Sequence, residues 1–109
     1  MNAFNITANE ESIIREFLPT KQNIFELSQL YSGFSDGTRL KILICLCMKS
    51  MCVGDIAQLL QINQTTISHQ LKFLKTLKLI DCDRIGKTIT YYIKNRNIIE
   101  VLNYGVECL

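Results

Sequence analysis

The sequence predicts a mainly helical fold of about five or six helices with one two-stranded β-hairpin. Three observations carry this. Apolar residues recur at helical spacing along most of the 109 residues. Between residues 79 and 93 the pattern changes to β-rich runs around a Gly-Lys pair. Apolar residues make up 48% and charged residues 20%, with one Pro and five Gly, a globular composition slightly greasy for a small monomer. The length suits one domain with one core, finished by a partner chain, and excludes a barrel enzyme or a two-domain dehydrogenase.

The elements follow in order. Asn9 is placed to cap a short helix from Glu10 to Phe17, with two acidic residues in its first turn. Pro19-Thr20 interrupts it, so residues 1–19 read as an N-terminal extension. A second helix runs from about Lys21 to Ser32, with Ile24, Leu27, Leu30 and Tyr31 on one side and Gly33 fitting its end. Phe34 to Arg39 is a turn with Ser and Asp suited to capping. Leu40 to Met48 is apolar on nearly every side except Lys41 and reads as a buried central helix.

Val53 to Leu60 places apolar residues at 56, 59 and 60, one face of a short helix. Gln61-Ile62-Asn63 is long enough only for a tight turn. Gln64 to Leu77 then carries a clean stripe at 67, 71, 74 and 77. Two helices joined by so short a turn form a helix-turn-helix, here residues 53–77. Ala57 supplies the small residue where the helices cross, and Ile56, Leu60, Ile62 and Ile67 fill the wedge. Leu79–Ile85 and Thr88–Ile93 flank Gly86-Lys87 as a hairpin with a basic tip, a wing over residues 79–93. Residues 97–109 form a closing helix with Ile98, Ile99, Val101, Leu102, Val106 and Leu109 on a broad apolar face. A terminal helix so apolar needs another surface to cover it.

The formal net charge is +2, but it is unevenly spread. Residues 1–38 hold two basic against five acidic residues, a balance of −3, and residues 72–96 hold seven against two, a balance of +5. Cations gathered on the second helix of the unit and on the wing favour double-stranded DNA over a merely solvated basic surface. Gln64, Thr65 and Ser68 are the first candidates for groove contacts, because a recognition helix presents its N-terminal residues to the bases. Thr66, His69, Gln70 and Lys72 on the same helix, and Arg84 and Lys87 on the wing, complete the DNA-binding set. For Gln70 a plain exposed polar role stays open.

Little supports an enzyme. The chain has no glycine-rich phosphate loop, no nucleophile elbow and no His-Glu-x-x-His, and His69 is its one histidine. No catalytic residue and no cofactor is expected. Glu10, Glu11 and Glu16 stand where a targeting segment would be basic, and the longest apolar run, Ile42 to Met48, is seven residues. A membrane span needs about 20. A cytoplasmic location without a membrane partner follows, and there the five cysteines stay reduced.

Phe34 to Leu40, Cys52 to Gln58, Thr66 to Leu71, Gly86-Lys87 and Tyr91-Tyr92 occur in an order and spacing that resemble the ArsR/SmtB family of winged-helix repressors. The resemblance covers about residues 25–108. It implies a homodimer built mainly from the first and last helices. It implies binding to an imperfect inverted repeat, with release when an inducer binds. One family metal site needs Cys-x-Cys-Asp. Cys52 and Asp55 match, but Gly54 replaces the second Cys, and residues 1–44 contain none. The other site's positions correspond to Arg96, Ile98 and Leu109, and Arg and Ile cannot ligate zinc. Neither family metal site is expected to be intact.

Some family members sense sulfide or oxidants through a thiol pair, and Cys45 or Cys47 with Cys108 resembles that arrangement. The plain alternative for Cys45, Cys47 and Cys82 is a small buried hydrophobe. A non-standard metal site using these thiols and Glu107, a winged-helix protein-interaction module, and a small thiol enzyme are the competing readings.

Overall fold

The computed structural model describes residues 5–109. Six helices and one hairpin follow in order: α1 (Ala8–Phe17), α2 (Lys21–Ser32), α3 (Gly37–Met48), α4 (Val53–Leu60), α5 (Gln64–Thr76), β1 (Ile80–Ile85), β2 (Thr88–Ile93) and α6 (Asn97–Glu107).

Local chemistry sets the helix starts. Thr7, not Asn9, caps α1. Its hydroxyl accepts from the Glu10 N–H at 3.1 Å, and the Glu10 carboxylate accepts from the Thr7 N–H at 2.8 Å. Such a reciprocal box satisfies two orphan donors, where an Asn9 cap would satisfy one. The bond from the Thr7 N–H, with the Thr7 hydroxyl beside it, holds the Glu10 carboxyl below its ordinary range. Thr20, Asp36 and Asn63 cap α2, α3 and α5 one way, each side chain accepting a single backbone N–H. Gly33 ends α2 with φ −64°, so no left-handed cap is formed there. Its glycine identity answers a close approach instead, since a Cβ would lie 2.5 Å from Leu79 Cδ1.

The core is built by α3, α4, α5 and the hairpin. Ile42, Leu43 and Leu46 meet Ile56 and Ala57, then Ile67, Leu71 and Leu74, then Leu79, Ile80 and Ile93, and Ile98 of α6 closes the set. Two expectations shift here. Leu59 is 61% exposed, and Ala57 takes its place on the buried face of α4. That face is 53, 56, 57 and 60, and position 59 lies about 100° off it. The central helix buries one side only: Ile44 is 49% exposed, facing α6 across an apolar groove.

The hairpin pairs Ile80 with Ile93 through Ile85 with Thr88, leaving Gly86-Lys87 as a two-residue turn. Gly86 has φ +64°, the left-handed conformation such a turn requires. Met51 and Tyr91 exchange backbone hydrogen bonds at 3.1 and 2.9 Å, fastening the wing to the α3–α4 connection. By contrast, α1 and α2 bury no residue, and α6 buries only Ile98.

Candidate nucleic-acid interface

The helix-turn-helix is positioned from both ends. Gln61 ends α4 in the left-handed region at φ +56°, and the Ile62 N–H reaches the Ala57 carbonyl at 3.1 Å. Asn63 Oδ1 accepts from the Thr66 N–H at 2.8 Å and starts α5. Ile67, Leu71 and Leu74 anchor one face of α5 in the core. The opposite face is then fixed: Gln64, Thr65, Ser68, His69 and Lys72 are all exposed along it. Thr66 is half-buried at the edge of that face.

Gln70 belongs elsewhere. It is half-buried, and its Oε1 accepts from Arg39 Nη1 at 3.1 Å. Arg39 was carried in the sequence only by the turn motif at residues 34–40, and nothing in its spacing shows that it reaches α5.

At the wing, Arg84 and Lys87 are exposed, and Arg84 Nε donates to the Gly86 carbonyl at 3.2 Å, drawing the guanidinium over the turn. Lys75 is engaged at the wing base, where its Nζ lies 3.3 Å from Cys82 Sγ, and this contact raises the lysine's pKa. Arg96 lies apart, lining a 540 Å³ groove with Cys47, Asp83 and Tyr92. The basic segment is therefore divided between surfaces, and Lys72, Arg84 and Lys87 are its part on the outer face of α5 and the hairpin tip.

The cysteines are free thiols. Cys45 and Cys47 are half-buried on α3, and burial pushes both thiols up; nearby Arg96 partly offsets this at Cys47. Cys108 is exposed just past α6. Cys47 shares its groove with Arg96, at the start of α6. Cys108 lies at the far end of that helix, about 16 Å along its axis. Within one protomer Cys47 and Cys108 thus sit toward opposite ends of α6. A disulfide needs Cα atoms within about 7 Å. Cys52 precedes α4 without a capping bond, and Asp55 is exposed. Among the described residues of one chain, no three His, Cys, Asp or Glu side chains gather as a metal site would require. No described helix is long and apolar enough to cross a membrane.

A helix-turn-helix with an exposed polar and basic second helix, followed at once by a basic-tipped hairpin, defines the winged helix-turn-helix class. The family profile of the bacterial regulatory protein, arsR family, matches residues 36–81. The cadmium resistance transcriptional regulatory protein CadC of Listeria innocua is 37% identical over 81 residues, covering 73% of this chain and 68% of that protein. This chain belongs to the ArsR family. The transcriptional repressor SmtB homolog of Synechocystis is 24% identical over 76 residues, 70% of this chain, and the match spans 58% of that protein's length. The homodimeric winged helix-turn-helix domain of a possible ArsR-family regulator from Mycobacterium bovis superposes with TM-score 0.74 at 22% identity, covering 83% of this chain and 86% of that one. That last likeness concerns the fold alone.

Proposed function

We propose that the chain is a homodimeric, sequence-specific transcriptional repressor that binds an imperfect inverted repeat. The observation that carries this is the single face of α5 bearing Gln64, Thr65, Ser68, His69 and Lys72, held outward by the buried Ile67, Leu71 and Leu74. In this reading α5 enters the major groove and Arg84 to Thr88 reaches backbone or minor groove, with half-sites roughly 10 bp apart. The names of the ArsR-family relatives support regulation rather than catalysis. Uncovered apolar faces support the dimer. Ile24, Leu27 and Tyr31 on α2 and Val101, Tyr104 and Val106 on α6 are all exposed, and a 550 Å³ apolar groove runs between α2, α3 and α6.

Release by an inducer is the finer part of the reading. Cys108 is its thiol candidate, being exposed where Cys45 and Cys47 are half-buried. Selection of bound duplexes from a random pool tests the whole. A selected inverted repeat with about one helical turn between half-sites is expected. Recovery of unselected DNA would overturn sequence-specific repression. Equal operator binding by reduced and oxidised protein would remove the thiol inducer. Zinc retained on dialysis would favour a metal inducer.

A further inference from the structure

Arg39 joins three helices through one planar group. It lies in the first turn of α3, and its backbone N–H donates to the capping Asp36 carboxylate at 3.1 Å. Its guanidinium then reaches in two directions. Nη1 donates to Gln70 Oε1 on α5 at 3.1 Å, and Nη2 donates to the Ser32 carbonyl at the end of α2 at 3.0 Å. It shares that carbonyl with the Ser35 hydroxyl at 2.8 Å. The guanidinium carbon also lies 4.8 Å from the centre of the Phe73 ring, one turn along α5 from Gln70. Its Nε is shielded from solvent and has no acceptor. Among the described residues no carboxylate pairs with the guanidinium.

These contacts sit where α2 and α5 have little else between them. Beyond Arg39 the two helices diverge around an open groove of 740 Å³, with Phe25, Gln29 and Leu30 on one wall and Phe73 and Thr76 on the other. The end of α2 is pinned by Gly33 against Leu79 and by Arg39.

We propose that Arg39 is a positioning residue for DNA recognition: it fixes the recognition helix α5 relative to α2, the helix at the dimer seam. The inference rests on the reading of the chain as a dimeric DNA-binding protein. In such a dimer the separation of the two α5 helices is set by the joint between α5 and the seam. A planar fork suits that joint because it bonds in two directions while stacking on a ring, which a lysine cannot do. Arg39 acts through Gln70 and Phe73 and makes no contact with DNA itself.

The test compares wild type with Arg39→Lys, which keeps the charge, and with Gln70→Ala. Binding is measured to the selected operator, to random duplex, and to operators with one base pair added or removed between half-sites. Arg39→Lys is expected to lower the operator-to-random affinity ratio by about tenfold. It should also flatten the dependence on half-site spacing and leave the salt slope unchanged. In the Gln70→Ala background the same change should cost much less. Unchanged specificity and spacing preference would overturn the proposal. For an Arg39→Gln protein, a salt slope reduced by about 0.9 per protomer would overturn it too, since Arg39 would then be a phosphate contact.

Hydrogen exchange on the DNA-free protein separates this proposal from the reading beneath it. Arg39→Lys should speed exchange at the end of α2 and along the middle of α5, and leave the hairpin protected. Equal protection in both proteins would overturn the joint even if wild type selects an operator. Faster exchange in Arg39→Lys, together with a wild type that selects no sequence, would leave the joint standing and overturn the repressor reading alone.

Discussion

Residues 37–93 and the flanking helices α1, α2 and α6 are built from similar residues and end in opposite states. In the first region the apolar stripes of α3, α4 and α5 meet one another and the hairpin, and all buried apolar residues but Ile98 lie there. In the second, Phe17 is 84% exposed and Val106 64%, although both helices are amphipathic and the first is capped. The charges divide as well, −3 over residues 1–38 against +5 over residues 72–96. The difference teaches that a regular apolar period guarantees a helix and not a covered one. The winged unit is a finished core with a polar, basic outer face. The flanking helices carry the uncovered apolar surface that the proposed dimer would bury, and most of their charged residues are acidic.

The comparison breaks most sharply under substitution of the finished core. Leu71→Ala should cost about 2–5 kcal/mol, because Leu71 is fully buried between α3, α4 and the hairpin. Thermal or urea unfolding reads this directly, and a cost near zero would mean that the core is not closed as described. Next come the uncovered helices. Leu27→Asp and Val106→Asp should each weaken self-association by about 2 kcal/mol or more, with sedimentation mass moving from dimer toward monomer and helical content kept. A dimer that survives both changes would place the seam on another surface.

Smaller effects belong to the outer face of α5. Gln64→Ala and Ser68→Ala should alter base preference by about 1–3 kcal/mol at single operator positions. Stability should stay within about 0.5 kcal/mol, since both side chains point outward. The smallest effect concerns the thiols. Burial raises Cys45 and Cys47, so less thiolate is present at neutral pH than in an unburied thiol. Iodoacetamide should therefore modify Cys108 first and those two slowly, with their rates climbing as pH rises, as mass spectrometry would show. Early labelling of Cys45 would contradict the burial of that face of α3.

Much of this architecture was legible in the sequence. The 67, 71, 74 stripe fixed the inner face of α5 and therefore the outward set from Gln64 to Lys72. Gly86-Lys87 fixed the hairpin register. What was not legible depended on side chains meeting across the fold. Periodicity placed Leu59 on the inner face with Ile56 and Leu60, although an inner face that includes Ala57 at the crossing turns position 59 outward. The α1 cap expected at Asn9 falls at Thr7, where the return bond to the Glu10 carboxylate fixes it. Gln70 read as an exposed contact because Arg39 lies 31 residues away in sequence.

In the proposed DNA complex the two exposed cations Lys72 on α5 and Lys87 on the hairpin tip face the phosphates together. The most direct test is the salt dependence of DNA affinity for wild type and for the Lys72→Gln, Lys87→Gln double variant. Each phosphate neutralised contributes about 0.9 to the slope of log K against log salt, so two lysines lost from each protomer of a dimer should lower its magnitude by about 3–4. An unchanged slope would contradict the account.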